Sequence, residues 1–214
     1  MQTLRLDLAE QSAILTAALA DVLQAEDRHE ARQTAADLTV ANRDALSLPA
    51  PIGPYDTEIQ ALLANSPFMP ARQIALAQRC TPWGANPIAS KLTTDFSTIY
   101  LVATLIGPDG PLHSDTYRAG LFYQRPNTYY ALHSHDAVET YTILAGSAVW
   151  TAGTDTRLRQ AGDQIHHPSA LPHAFRAGPQ GFVALWRWSG DITVDSYQML
   201  PDPAEHTARR PAHL

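Results

Sequence analysis

The chain has 214 residues, of which 45% are hydrophobic and 17% are charged, and its formal net charge at pH 7 is -6. This length allows one or two domains with a substantial buried core, and this composition is typical of a folded globular protein and excludes a disordered chain. The acidic balance argues against nucleic acid or an anionic membrane as the main partner, because both bind clustered Lys and Arg.

The N-terminal residues do not resemble a targeting signal. Acidic Asp7 and Glu10 stand where a secretory signal has basic residues, and the apolar-rich stretch from Ala13 to Leu23 is shorter than the roughly 20 residues that span a bilayer. The one cysteine, Cys80, has no second cysteine for an intrachain disulfide, which fits a reducing compartment. We therefore predict a cytoplasmic protein.

The first half of the chain predicts helices. From about Leu4 to Leu46 apolar residues recur at intervals of three and four, which indicates an amphipathic helix pair, and prolines between Pro49 and Pro54 end it. A short helix from about Asp56 to Leu63 and another near Ala71 to Gln78 follow. We expect residues 1–95 to form a helical region that packs on the rest of the chain.

After about Phe96 the pattern changes to short runs of β-branched and aromatic residues, separated by turn residues. The predicted strands are Thr98 to Ile106, Tyr117 to Gln124, Tyr129 to His135, Glu139 to Leu144, Ala148 to Thr151, Thr156 to Arg159, Gln164 to His167, His173 to Arg176, Phe182 to Trp188 and Thr193 to Gln198. About ten short strands indicate a β-sandwich or barrel, over residues 96–200. Residues 201–214 are expected to form a loosely ordered tail.

A first cluster of metal-binding residue types lies in the predicted barrel. Residues two apart on a strand project from one face, so His133 and His135 can converge on one point. Glu139 and Tyr141 share a face of the next strand in the same way. Two imidazoles and a carboxylate that face one another suit a first-row transition metal.

A second cluster offers a third imidazole from His166, His167 or His173. A tight turn and two prolines precede His173 and present it at the start of the next strand. One of these three histidines is expected to complete the metal site, and His166 and His167 are also explained as turn residues or as neighbours of the ligands.

Together the two clusters resemble the two motifs of the cupin superfamily. The first motif is matched by His133, His135, Glu139 and Gly146, and the second by Gly162, Pro168 and His173. The resemblance implies a mainly β cupin barrel, also called a double-stranded β-helix or jelly roll, preceded here by an α-helical region. It also implies that the metal ligands are His133, His135, Glu139 and His173.

The chain departs from the cupin pattern at three positions. Asn127 and Ala170 replace glycines of the family, and Ala177 replaces an asparagine. Asn adopts a left-handed backbone readily and Ala much less so, and we therefore expect the turn at Ala170 to differ in shape. None of these changes removes a ligand.

A narrower resemblance rests on aromatic residues around these motifs, namely Tyr130, Tyr141, Trp186 and Trp188. With the helical region they resemble the cupin-type dimethylsulfoniopropionate (DMSP) lyases, especially the Q-type subfamily. The resemblance implies one divalent transition-metal ion (Fe, Mn, Co, Ni or Zn) and a small-molecule sulfonium substrate. It assigns the proton-abstracting tyrosine to Tyr141 and a second tyrosine of the site to Tyr130.

The implied reaction is a β-elimination. Removal of the proton beside the substrate carboxylate expels dimethyl sulfide and leaves acrylate, and a metal on that carboxylate draws off the developing negative charge. A neighbouring cation lowers the pKa of a phenol, which would let Tyr141 act as a phenolate base. Aromatic faces of Trp186, Trp188 or Tyr130 would attract the sulfonium by about 0.5–2 kcal/mol.

The sequence leaves other readings open. A cupin oxygenase or isomerase would use the same ligands, and a non-catalytic ligand-binding cupin would need no base. Tyr141 also fits a strand residue that fills the barrel, and three ligands would suffice without His133. Strict alternation places Tyr129 on the face of His133, so Tyr130 reaches the site only across a bulge. The protein is expected to be a monomer or homodimer.

Overall fold

The computed structural model describes residues 6–41, 43–84, 88, 98–202 and 204. In this part of the chain four α-helices precede nine β-strands. None of the described helices combines the length and the apolar character that crossing a membrane requires. The predicted boundary at residues 95 and 96 and most of the predicted tail after residue 201 lie outside the described residues.

The predicted N-terminal helices are confirmed. They are α1 (Leu8–Gln24), α2 (His29–Val40), α3 (Asp56–Ala64) and α4 (Met69–Ala75), with 3-10 turns at Asp44–Leu46 and Gln78–Cys80. A capping box fixes the start of α1: the Glu10 N–H donates to the Asp7 carboxylate, and the Asp7 N–H donates to the Glu10 carboxylate, each at 2.8 Å. The fourth helix ends at Ala75, earlier than predicted, and a 3-10 turn follows it.

The helices cover one face of the β half. Leu15, Leu19 and Leu23 of α1 recur at helical spacing and are at most 2% exposed. They belong to one buried apolar cluster with Leu121 and Leu185 of the β half. Burial of this shared cluster holds the helical region against the strands.

The strands are β1 (Tyr100–Gly107), β2 (Leu112–His113), β3 (Tyr117–Gln124), β4 (Tyr129–Ser134), β5 (Ala137–Ala152), β6 (Asp155–Gln160), β7 (Gln164–His167), β8 (His173–Gly190) and β9 (Gln198–Met199). The first half of β5 pairs with the second half of β8, and their remaining halves pair with each other as well. Strands β1, β2, β3 and β7 extend the first pairing, and β4, β6 and β9 extend the second. The result is the predicted mainly β barrel of two facing sheets.

Two pairs of predicted strands are single long strands, which corrects the prediction. β5 joins the runs around Glu139 to Leu144 and Ala148 to Thr151, and β8 joins those around His173 to Arg176 and Phe182 to Trp188. The register of β5 shifts on both sides of Gly146, whose φ is +76°. These bulges bend the strand so that it passes from one sheet to the other.

Other boundaries differ less. β2 was not predicted, and of the predicted strand from Thr193 to Gln198 only the last residue is in β9. Asn127 and Ala170 both have a left-handed backbone, with φ of 57° and 61°. The Ala170 N–H donates to the His135 carbonyl at 2.9 Å, and the expected difference in shape from the turn of the family stays a prediction.

Candidate metal centre

A small cavity of about 40 Å³ lies between the two sheets. Its walls are aromatic, apolar and polar side chains: Ile88, Tyr100, Val102, Phe122, Tyr130, His133, His135, Glu139, Tyr141, Trp186, Trp188 and Tyr197. Among the described residues no Lys or Arg side chain lines it. The cavity wall is therefore mainly aromatic, and it includes the titratable side chains of His133, His135 and Glu139.

Three buried side chains converge at one side of this cavity, and two of them, His135 and Glu139, line it. His135 follows β4, Glu139 lies on β5, and His173 is the first residue of β8. One ligand atom of each lies within 4.8 Å of the other two, and Glu139 Oε2 is 3.3 Å from the Nε2 atom of either histidine. The β5 and β8 strands bring together residues that are far apart in the sequence.

The backbone sets the tautomer of both histidines. Nδ1 of His135 is 3.1 Å from the Ala137 carbonyl, and Nδ1 of His173 is 2.9 Å from the Leu171 carbonyl. Because a carbonyl only accepts, each Nδ1–H donates and each Nε2 of the neutral ring carries a lone pair. These lone pairs face a carboxylate oxygen, and among the described residues His173 Nε2 has no hydrogen-bond partner.

A divalent cation fits this set of acceptors. Separations of about 3.3 Å are expected between two atoms that bind one ion tetrahedrally at about 2.0–2.1 Å. Two imidazoles and one carboxylate suit a first-row transition metal and leave a position for water or substrate. The fully buried lone pairs would otherwise repel each other without compensation.

Two donors hold the Glu139 carboxylate. Trp188 Nε1–H donates to Oε1 at 2.6 Å, and His167 Nδ1 lies 3.0 Å from Oε2. Trp150 Nε1–H donates to His167 Nε2 at 2.9 Å, so the His167 proton is on Nδ1 and points at the carboxylate. Burial opposes ionisation of Glu139, but positive charge on His135, when that ring is protonated, and the hydrogen bonds that Glu139 accepts hold its pKa well below the usual range.

The other three histidines of the two clusters, His133, His166 and His167, lie outside this set of three converging side chains. Both nitrogens of His167 have protein partners, and burial together with His173 lowers its pKa to about 3, so it stays neutral beside Glu139. His133 lines the cavity beside the three converging side chains, with its ring centroid 4.0 Å from that of His173, and its role as a fourth ligand stays a prediction. His166 is half-buried outside the cavity.

Both predicted tyrosines line the cavity. Tyr141 follows Glu139 by two residues on β5, and burial and the Glu139 charge raise its pKa well above the usual value. The register of β4 shifts between Tyr130 and His133, which is the irregularity that brings Tyr130 to this face. The Tyr130 hydroxyl is 2.7 Å from that of Tyr197.

Tyr197 is a cavity residue that sequence reasoning missed. Its ring stacks on His133 with centroids 5.3 Å apart, and its hydroxyl contacts Tyr130. It lies in a short polar segment after β8, outside both motifs, and nothing in its spacing marks it. The pairing of β9 with β4 brings this segment to the site.

The two predicted tryptophans also line the cavity. Trp188 packs its indole against His135, with ring centroids 4.4 Å apart, besides donating to Glu139. Trp186 lies 6.0 Å from Trp188 in an edge-to-face arrangement. Its Nε1–H is buried without a hydrogen-bond partner among the described residues, so a ligand oxygen that reached it would satisfy a donor.

Comparison of the chain with known proteins identifies its relatives. Residues 9–184 match the dimethylsulfoniopropionate lyase family. The chain is 34% identical over 180 residues to the DMSP lyase DddQ of Ruegeria pomeroyi, an alignment that covers 80% of this chain and 89% of DddQ. The crystal structure of DddQ from Ruegeria pomeroyi DSS-3 matches with a TM-score of 0.57 and 31% identity over 84% of this chain and 93% of that chain.

A second structural match supports the fold. It is a chain from the crystal structures of the DMSP lyases RdDddP and RnDddQII, with a TM-score of 0.66 over 91% of this chain and 100% of that chain. At 19% identity this likeness shows the fold alone.

Proposed function

The chain belongs to the dimethylsulfoniopropionate lyase family, and we propose that it cleaves DMSP to dimethyl sulfide and acrylate at its metal centre. The observation that carries the proposal is the convergence of His135, Glu139 and His173 beside the buried phenol of Tyr141. This arrangement offers a place for the substrate carboxylate and a group that can accept a proton.

The three converging side chains would hold one divalent transition-metal ion. When bound, the ion supplies positive charge that draws electron density from the substrate carboxylate. Trp188 and His167 keep the Glu139 carboxylate in one orientation by donating to its two oxygens. The identity of the ion and the participation of His133 are parts of the proposal that the ligand types leave open.

Tyr141 would serve as the general base. Its phenolate oxygen accepts the proton from the carbon beside the carboxylate, the C–H electron pair forms the new C=C bond, and the C–S bond breaks with its pair on neutral dimethyl sulfide. Burial and the Glu139 charge raise the pKa of Tyr141 well above its usual value, so this role requires the positive charge of the occupied site.

Aromatic side chains would hold the sulfonium end of the substrate. Trp186, Trp188 and Tyr130 line the cavity, and aromatic faces attract a cation by about 0.5–2 kcal/mol. No Lys or Arg side chain among the described residues lines the cavity to oppose this. Tyr197 supports this wall by its contact with the Tyr130 hydroxyl.

The proposal is tested by headspace measurement of dimethyl sulfide from purified protein supplied with DMSP, before and after a chelator. We expect release that the chelator abolishes and added metal restores. Single substitutions of His135, Glu139 and His173 by Ala should remove metal and activity together while the barrel stays folded. Near-stoichiometric metal in all three variants would disprove the ligand assignment.

Other outcomes would identify the alternative functions. Oxygen uptake by an iron-loaded protein without release of dimethyl sulfide would indicate a cupin oxygenase. Binding of a ligand with no turnover would indicate a non-catalytic cupin. A cytoplasmic location and a monomeric or homodimeric state remain predictions from the sequence.

A further inference from the structure

We propose that a buried ion pair between Glu26 and Arg187 positions the two strands that carry the metal centre. The proposal rests on the proposed function. Glu26 lies in the turn between α1 and α2, and Arg187 lies on β8. Their side chains are only 4% and 1% exposed, and Arg187 Nη2–H donates to Glu26 Oε1 at 2.8 Å.

The pair also binds the neighbouring strand β5. The Thr140 hydroxyl donates to the same Glu26 oxygen at 3.0 Å, and Arg187 Nη2 is 3.4 Å from that hydroxyl. Thr140 and Arg187 are direct partners in the β5–β8 register. One carboxylate from the helical region therefore contacts both strands at a single rung of the ladder.

This rung is flanked on both sides by residues of the cavity. Glu139 pairs with Trp188, and Tyr141 pairs with Trp186, in the adjacent rungs of the same ladder. Successive side chains of a strand point to opposite faces, so these four face the cavity while the Thr140 rung faces the helices. The ion pair thus lies directly behind the proposed metal ligand and base.

Stability alone does not explain this pair. Burial of two charges costs desolvation free energy, and the attraction between the charges often only balances that cost. A protein with apolar residues of similar volume in their place is often as stable. In addition, Arg187 Nε is buried without a hydrogen-bond partner among the described residues. Directional hydrogen bonds between charged groups also hold the two strands in a fixed position. A small displacement of a reacting group lowers the rate of turnover.

The test replaces the pair by apolar residues in the full-length, metal-loaded protein. We expect the double variant Glu26→Met, Arg187→Met to keep the parent's free energy of unfolding in urea. Its kcat should fall at least about tenfold with KM changed less, and its Zn²⁺ dissociation constant should rise about tenfold. Unchanged kcat and Zn²⁺ affinity in a folded double variant would overturn the proposal.

Three further variants sharpen the test. Arg187→Lys keeps the charge without the fork of donors and should give an intermediate kcat. Asp27→Asn removes the exposed Asp27–Arg32 pair one residue away and should change neither kcat nor Zn²⁺ affinity. If the double variant does not fold, Thr140→Val removes only the hydroxyl contact, and parental kcat and Zn²⁺ affinity in that variant would overturn the proposal.

The two proposals can fail separately. A parent protein that binds metal and releases no dimethyl sulfide would refute the proposed function. The Zn²⁺ dissociation constants of the same variants would still decide whether the pair positions the metal centre.

Discussion

The three imidazoles at or beside the candidate metal centre are oriented by the backbone near them. His133, His135 and His173 each place Nδ1 within 3.1 Å of a backbone carbonyl two residues away in the sequence. Each contact is local, so it forms as soon as the strand or turn around it forms. The Nε2 atoms are therefore directed into the cavity by the backbone, and metal binding does not have to reorient the rings.

The residue whose loss should affect turnover most selectively is Tyr141. Tyr141→Phe removes only the hydroxyl of a buried side chain, so packing and metal binding should persist while kcat falls at least about a hundredfold. The measurement is kcat together with metal content by elemental analysis.

A matched control for this variant is Tyr117→Phe. Tyr117 is a buried barrel tyrosine that donates to Asp37 at 2.7 Å outside the cavity, so kcat should stay close to the parental value. If Tyr141→Phe turns over normally and only Tyr130→Phe is inactive, the two tyrosines have exchanged roles. If both remain active, the mechanism proposed for this chain is wrong.

The part of the site whose residues are close together in the sequence could be predicted from the sequence. His135, Glu139 and Tyr141 fall within seven consecutive residues, so the short connection from β4 to β5 and the alternation along β5 bring them together. The contact of His167 with Glu139 depends on the β5–β7 register. The contact of Tyr197 with Tyr130 joins residues that are 67 positions apart in the sequence. Such contacts are set by tertiary pairing, which spacing along the chain does not contain.

At the scale of elements, the bulges in β5 allow one strand to serve both sheets. Gly146 has φ of +76°, and a Cβ there would lie 2.1 Å from the Gly181 carbonyl oxygen. Gly146→Ala should therefore lower the free energy of unfolding by more than about 3 kcal/mol, because both the backbone conformation and the close approach oppose the methyl group. Urea denaturation checks this value.

Gly190 provides a control with the same backbone angle. Its φ is also +76°, but a Cβ there meets no atom of the described residues within 4 Å. Gly190→Ala should lower the free energy of unfolding by only about 1 kcal/mol, because the left-handed backbone alone opposes the methyl group. Equal losses at the two glycines would show that the close approach at Gly146 is not decisive.

The element types were predictable and the strand continuity was not. Apolar periodicity located α1 to α4, because each buries a face at helical spacing. The turn-like residues around Gly146 predicted a strand end, but in the structure they form bulges that keep β5 paired with β8. A glycine at a bulge and a glycine in a turn have the same local signature, and only the partner strand distinguishes them.

At the scale of the molecule, the helical half covers an apolar face that the barrel cannot expose. A shortened protein that begins at Pro54 lacks α1 and α2 and therefore loses their part of the shared cluster, which includes Leu15, Leu19 and Leu23. We expect it to lose solubility or activity, measured as soluble yield and dimethyl sulfide release. A soluble Pro54 variant with full activity would contradict this expectation.

The distance along the chain between the helical turn and its partner has a consequence for biosynthesis. Glu26 and Arg187 are 161 residues apart. At synthesis rates of about 5–20 residues per second, roughly 8–32 s pass between the appearance of the two side chains. Throughout this interval the helical region lacks Leu185 and the rest of the β8 part of the shared apolar cluster, so we expect the nascent helices to need protection from aggregation until β8 leaves the ribosome.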